Sequence, residues 1–543
     1  CALILKPGHE SPNFFFKAFN NAFNRTTYWY SSIVSLAVRR IAIMMALFVG
    51  LLVLTVITYQ KVPTGFLPLE DDGLILVNIQ MPDGATLERT NSTVEMAGKA
   101  IDETKGILAW GALVGYSMID AARSNLATIF VPLKPWEERI PQGLSRDVIM
   151  KELSSKFQKI YDGMVFTYTL PPVLGLGTGG GFEMQLLDKG DLGFQSLEET
   201  GTELSMLARQ QPDLRSVIAT FRATYPNVYI DIDRTKALGL KVPLQSVFNT
   251  LQTYLGSAYV NDFNKFSRTW QVRLQGDSMF RRNPEDISQL FVRNKEGKMI
   301  PLGTLINARY EVGPMRVDRY NLYPTAKILG QNAPGFSSGQ ALQTMESLAD
   351  QTLPPGMSFE WTNMAYQEKK AEGKAAVTFC AAILVVILIL AGLYESWNDP
   401  ISVVMIVPLA VLGAAAGLLI GGMDNNVYTQ VGLVLLVGLS AKNAILIVEF
   451  AREARSKGVG ALEAAVEASK LRFRPILMTS LAFILGVLPL VMASGAGAVS
   501  RQSVGTAVFA GMIGVTVLGV FFTPVLYVLV QRRGKKKDTE LKA

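Results

Sequence analysis

The chain has 543 residues, 49% of them hydrophobic, and a formal net charge of +7, with a mean hydropathy of +0.26. That apolar balance excludes an ordinary soluble enzyme, while a long polar middle stretch excludes a protein lying wholly in lipid. Two cysteines, Cys1 and Cys380, exclude a disulfide framework.

In chain order, residues 1–5 are apolar and stop at Lys6-Pro7, the pattern of a last helical turn, so the sequence reads as a piece of a longer protein. His9, the only histidine, sits in this polar N-terminal region and is no candidate for a proton relay inside a membrane. Apolar runs of spanning length cover 41–59, 375–394, 401–422, 427–450, 475–493 and 504–530, which predicts one span, a large insertion and then five spans. Positive charge falls on one side of them. Arg39 and Arg40 precede the first span, Arg452, Arg455, Lys457, Lys470, Arg472 and Arg474 fill what reads as the loop between the fourth and fifth, and Arg532, Arg533 and Lys535 to Lys537 follow the last. Those segments are expected in the cytoplasm, and the charge is read as a topology signal rather than a nucleic-acid signal. Lys369, Lys370 and Lys374 sit on the opposite side, where long translocated segments are largely exempt from the rule.

Between 61 and 374 the pattern changes to alternating strands and polar helices. Strand 74–81 ends at Pro82-Asp83-Gly84 and runs into a helix over 86–103. Strand 326–330 runs through Ala333-Pro334-Gly335 into a helix over 337–351, with a strand at 358–361. Further units appear at 127–133, 146–160 and 165–169, and at 182–187, 197–209 and 216–221. These repeated βαβ units predict split-βαβ sandwiches. Residues 227–308 have a different pattern, with a hairpin turning at Asn294-Lys295-Glu296-Gly297, and are read as an insertion into the second sandwich. A cleft between the two sandwiches is the natural ligand site.

The run Gly175-Leu176-Gly177-Thr178-Gly179-Gly180-Gly181 contains a G-x-G-x-x-G. Pro171-Pro172 precede it and no helix opens at its end, so it reads as a loop between strands. No G-x-x-x-x-G-K-[ST] occurs anywhere, so no ATP cradle is visible and any transport is expected to run on an ion gradient. No nucleophile stands with a base and no metal-ligand cluster is evident, so the chain is not read as an enzyme.

The feature with the most chemistry is Lys442, inside the fourth apolar run with Asn443 beside it. A lysine near the middle of a span costs roughly 2.5–3.5 kcal/mol on insertion scales. It lies eight residues before Phe450, about 12 Å along the axis, which is far for its stem to reach the interface. Such an ammonium is expected to be buried against a carboxylate on another helix or to give up its proton. Candidate relay groups are Lys442, Asn443 and Thr479, with Glu449 and Arg472 nearer the cytoplasmic end. No Asp lies in the apolar cores of the six spans, so the partner carboxylate is expected outside this chain.

Four stretches carry a resemblance: Gly438 through Phe450 (GLSAKNAILIVEF), Leu393-Tyr394-Glu395-Ser396-Trp397, Arg474-Pro475-Ile476-Leu477-Met478-Thr479-Ser480 and Tyr259-Val260-Asn261-Asp262-Phe263. Their order and spacing resemble the C-terminal half of the resistance-nodulation-division multidrug efflux transporters, hydrophobe/amphiphile branch. The resemblance implies an α-helical bundle of six transmembrane helices plus α+β periplasmic porter subdomains, built from βαβ (ferredoxin-like) units, and a docking subdomain. It implies the boundaries 1–40 for the end of a preceding helix and an amphipathic cytoplasmic segment, 41–60 for a first span, and 61–180 for porter subdomain 1. Residues 181–226 and 309–373 would form porter subdomain 2, 227–308 the docking subdomain, 374–534 five further spans and 535–543 a tail. It implies a proton relay in which Lys442 and Thr479, with Arg472 also implicated, work with two aspartates of the N-terminal half. It also implies a drug pocket lined by Phe130, Phe182, Met184 and Leu186, with Tyr116 and Met118 on an entrance loop. The implied setting is the inner membrane of a Gram-negative bacterium, as a homotrimer with a periplasmic adaptor protein and an outer-membrane channel. The proton gradient would stand in place of a cofactor, and neither a bound metal nor nucleic acid is implied. Two other readings stay open: a heavy-metal exporter of the same superfamily, which needs methionine pairs where only Met184 stands, and a half that folds without transporting.

Overall fold

The computed structural model describes residues 14–120 and 122–540; the expectations for 1–5 and His9 lie outside them. Among the described residues six helices are long and apolar enough to cross a membrane: Ile41–Lys61, Lys374–Tyr394, Asn398–Gly421, Val427–Ser456, Ala461–Val491 and Ala498–Gln531. They are the six expected spans, but the last three are longer than their apolar cores. Arg452 and Arg455 lie in the helix Val427–Ser456, and Lys470, Arg472 and Arg474 lie in the helix Ala461–Val491. What reads as a loop from hydropathy is therefore mostly helix, with only residues 457–460 turning the chain. Hydropathy marks where lipid begins, whereas the backbone hydrogen bonds of a helix continue into water.

Small residues set how closely these helices pack. A Cβ on Gly417 would stand 2.2 Å from the Ala510 Cβ, and one on Gly413 would stand 2.6 Å from the Ala510 carbonyl oxygen, so the third and sixth spans approach almost backbone to backbone. The sixth span carries a π turn at Val515–Gly519. Ahead of the first span the amphipathic helix Phe14–Arg39 lies against the fifth and sixth. Tyr30 stacks on Phe473 with ring centroids 4.3 Å apart and donates to the Val520 carbonyl at 2.9 Å.

The insertion between the first two spans holds two larger sheets. In the first, strands Leu74–Gln80, Gly111–Tyr116, Ala122–Pro132 and Met164–Tyr168 form an antiparallel sheet with spatial order second, third, first, fourth. Helices Leu87–Asp102 and Arg146–Phe157 cover one face and bury Ile75, Val77, Ile79, Ala127, Ile129 and Val131. Thr86 and Ser145 cap these helices by accepting from the Arg89 and Val148 amides. In the second sheet, strand Tyr323–Asn332 pairs with Phe182–Asp188, Leu214–Ala219 and Asp318–Tyr320, and Met357–Thr362 pairs with Phe182–Asp188. Helices Phe194–Arg209 and Ser338–Thr352 cover one face.

From within the second sheet unit, strands Tyr225–Ile232 and Ile306–Gly313 leave as an antiparallel pair. They lead into a unit with its own buried cluster, including Ala237, Val247, Ile287 and Leu302. The expected turn at 294–297 joins strands Phe291–Arg293 and Met299–Pro301. A second hairpin, Ala258–Lys265 with Arg268–Leu274, projects with nearly all of its residues exposed.

Candidate functional site

Two places carry polar groups in arrangements that packing alone does not require. The first lies in the membrane. The fourth span buries one face, including Gly432, Leu436, Ser440, Asn443, Ala444 and Ile447. Val431, Leu435, Gly438 and Lys442 recur at three- and four-residue helical spacings, Glu449 follows two turns on, and all five stay uncovered. Lys442 thus sits on the outward arc of this bundle, exposed where no other described helix covers it. Its Nζ stands 4.9 Å from the centre of the Phe483 ring, and among the described residues no carboxylate pairs with it. Lys442 shares an open groove with Thr479, Ala482, Phe483, Gly486 and Val487.

The neighbouring groups divide by face. Asn443 is buried and donates from Nδ2 to the Ser480 Oγ at 3.0 Å, fixing the fourth span against the fifth. The Thr479 hydroxyl donates to the Ile476 carbonyl at 3.1 Å, which leaves its oxygen free to accept from the groove. Arg472 stands apart, about two turns before Thr479 toward the start of the fifth span. Its guanidinium carbon lies 3.3 Å over the Phe450 ring, and its buried Nε has no partner among the described residues. The fold therefore brings Lys442 and Thr479 into one groove, uses Asn443 as an interhelical fastening and keeps Arg472 separate. A lone ammonium and a hydroxyl facing an apolar groove can receive a carboxylate that arrives and leaves with its proton.

The second place is where the two sheets meet with the faces their helices leave bare. Leu76, Ile119 and Tyr168 are buried there, with Met118, Phe130, Phe166, Leu170 and, from the second sheet, Leu329 packed around them. Burial holds the Tyr168 phenol above its ordinary range, opposed by the nearby Thr128 hydroxyl. Beside this apolar patch runs a polar one. Asp120 pairs with Arg123 at 3.1 Å, and Arg316, from the segment returning out of the insertion, donates to the Asp120 carbonyl at 2.9 Å and to Asp318 at 2.6 Å. The loop carrying Met118 is also held by Ser117, which donates to Asn78 at 2.6 Å. The two sheets thus meet over an apolar cluster bordered by the Asp120, Arg123 and Arg316 charges.

Of the residues expected in a pocket, Met118 and Phe130 lie in this cluster and Tyr116 lies exposed beside it. Phe182, Met184 and Leu186 point the other way, into the core under the helices of the second sheet. Alternate residues of one strand share a face, so the three go together, and burial against the helices claims that face. Sequence reasoning missed Phe166, Tyr168 and Leu329; aromatic alternation along Met164–Tyr168 was the available signal.

A profile of the AcrB/AcrD/AcrF family matches residues 1–531. The chain is 38% identical over 540 residues to the multidrug export protein AcrF of Escherichia coli K12, a match covering 98% of this chain and 52% of AcrF. The multidrug resistance protein MdtF of Escherichia coli O157:H7 is 39% identical over 545 residues, covering 98% of this chain and 52% of MdtF. The multidrug/solvent efflux pump membrane transporter MepB of Pseudomonas putida is 37% identical over 547 residues, covering 99% of this chain and 52% of MepB. The chain spans about half the length of these relatives. With a match over nearly its whole length and six spanning helices, this chain is a multi-pass membrane protein of the AcrB/AcrD/AcrF family.

Proposed function

We propose that this chain is the C-terminal half of a proton-driven exporter of amphiphilic drugs in a bacterial inner membrane. The observation that carries the proposal is the uncovered stripe of the fourth span, which leaves Lys442 and Thr479 in an open groove with no carboxylate among the described residues. Lipid is a poor cover for an ammonium, so the natural cover is an N-terminal half whose helices bring carboxylates to Lys442. While those carboxylates are ionised, attraction to Lys442 draws the two halves together; protonation removes it and lets the helices shift. Arg472 would tune this motion from the cytoplasmic end, and Asn443 would keep the fourth and fifth spans moving as one.

In this reading the two sheet units are periplasmic porter subdomains of split-βαβ type, and the seam with Met118, Phe130, Phe166, Tyr168 and Leu329 opens to receive the apolar body of the drug. The unit within residues 225–313 is a docking subdomain for an adaptor protein and outer-membrane channel, and the assembly is a homotrimer. The names of the relatives, multidrug export and multidrug/solvent efflux, support drugs over metals as cargo.

The test is Lys442→Ala in cells that make this chain together with the N-terminal half. Intracellular accumulation of a fluorescent amphiphile should rise to the level of cells lacking the exporter, with the amount of membrane-inserted protein unchanged. Accumulation that stays at the unmutated level removes Lys442 from the mechanism and the proposal with it.

A further inference from the structure

We propose that Glu70 is the positioning residue that couples the sixth span to the first sheet unit, by acting as the missing N-cap of that span. The transport part of this inference rests on the exporter reading above.

The sixth span starts badly by itself. Gly497 occupies its N-cap position in the left-handed region, φ 66°, with no side chain to accept from the first turn. The leading amides of a helix need acceptors from elsewhere, and the positive end of the helix dipole favours an anion there. Glu70 supplies both from 429 residues away in sequence: one carboxylate oxygen accepts from the Val499 amide at 3.1 Å. The other accepts from the Ser500 amide at 2.7 Å and also from the Ser500 hydroxyl. Such charge-assisted bonds are roughly twice as strong as neutral ones.

The same residue is fixed on its other side. Arg146, the buried first residue of the helix Arg146–Phe157, donates to the Glu70 carbonyl. Asp71 accepts from Arg139 at 2.7 Å and from the Gly73 amide at 3.1 Å, and its carbonyl accepts from Trp136 at 3.1 Å. Arg139 is fully buried and also donates to the Lys134 and Leu144 carbonyls. Residues 70–73 are therefore a short strut braced by two arginines, and the first strand of the sheet begins at Leu74.

At the membrane end the strut meets a helix packed tightly on the one that carries Lys442. A Cβ on Gly511 would stand 2.3 Å from Leu436, one on Gly432 would stand 3.1 Å from the Ala507 Cβ, and Asn426 donates to Ser503 at 3.0 Å. Displacement of the fourth span has little slack to absorb before it reaches Ser500, and Glu70 passes it to the sheet. A second link runs beside it: just after the first span, Pro63, Gly65 and Phe66 pair through their backbone with Asn425 and Val427, and Asn425 donates to the Tyr59 hydroxyl at 2.8 Å.

The experiment combines amide exchange and transport. In the membrane-embedded chain, Glu70→Ala should speed hydrogen exchange at Val499 and Ser500 by about tenfold or more, while Glu70→Gln, which keeps one good acceptor, loses less. With the N-terminal half present, both variants should lower the maximal extrusion rate at unchanged half-saturating drug concentration, Gln less than Ala. Unchanged exchange overturns the cap. Faster exchange with an undiminished maximal rate overturns the coupling. Extrusion that survives Lys442→Ala would instead defeat the exporter reading, and the exchange measurement would still decide whether Glu70 caps the helix.

Discussion

The six spans fall into two groups that differ in what covers them. The third, fourth and sixth bury 50%, 56% and 56% of their apolar windows inside the chain, whereas the first, second and fifth bury 11%, 6% and 17%. Along their middles the first two uncovered helices present mostly apolar side chains such as Leu47, Val53, Leu384 and Ile389, which lipid satisfies. The fifth presents Thr479 and borders Lys442, which lipid does not satisfy. Low burial by itself thus says nothing about a partner; low burial beside a charge points to one.

The largest effect is expected inside the covered group. Gly413→Leu would drive a side chain into the Ala510 carbonyl and the Gly514 backbone, and should destabilise the bundle by about 3 kcal/mol. Thermal unfolding in detergent, followed by helix signal, would show it as a clear drop in midpoint; an unchanged midpoint would mean that the third and sixth spans are not in backbone contact.

A smaller effect is expected where the second sheet unit rests on the bundle. Glu368, on the helix Asn363–Ala371, has its carboxyl pushed up to about 7 from an ordinary 4.5, mainly by burial and further by Asp424, while a bond from Ser338 opposes the rise. A raised carboxyl holds its proton more tightly folded than unfolded. Its stabilising contribution is full below pH 4.5 and is lost as pH climbs to about 7. Glu368→Gln should remove that slope and stabilise the fold at pH 8 by about 2 kcal/mol, allowing for partial solvent contact. Urea unfolding at pH 5 and pH 8, read by Trp361 in the neighbouring core, would measure it. Equal pH slopes in the two proteins would count against a buried Glu368.

The smallest effects separate lipid from protein as cover. Leu485 and Ile389 are 63% and 64% exposed, so alanine at either should change the stability of this chain alone by less than about 0.5 kcal/mol. With the N-terminal half present, Leu485→Ala should become costlier by about 1 kcal/mol while Ile389→Ala stays neutral. If both stay neutral, the fifth span faces lipid like the second.

Much of this was legible in the sequence, and the gaps have physical causes. Hydropathy located all six spans because lipid demands an unbroken apolar run, but it could not reveal that the fourth and fifth helices continue to Ser456 and begin at Ala461. The helix-covered strands were readable from their alternation. The hairpin 258–274 was not, because both of its faces are exposed and its turn uses Phe266 and Ser267 at φ 55° and 57° instead of the glycine or asparagine that marks such turns. Lys442 was conspicuous by its cost, but its direction was not. Only the packing of Ser440, Asn443 and Ala444 on the inner side turns it outward. The cap by Glu70 left no local signal, since donor and acceptor lie 429 residues apart.

The fourth and fifth helices have 30 and 31 residues, about 45 Å each at 1.5 Å per residue, against a hydrocarbon layer of about 30 Å. Part of each, joined by the turn at 457–460, stands clear of the lipid as a paired stalk. A spectroscopic label at exposed Glu453 would ride on that stalk and report the tilt of the helix bearing Lys442 from water, without disturbing anything inside the bilayer.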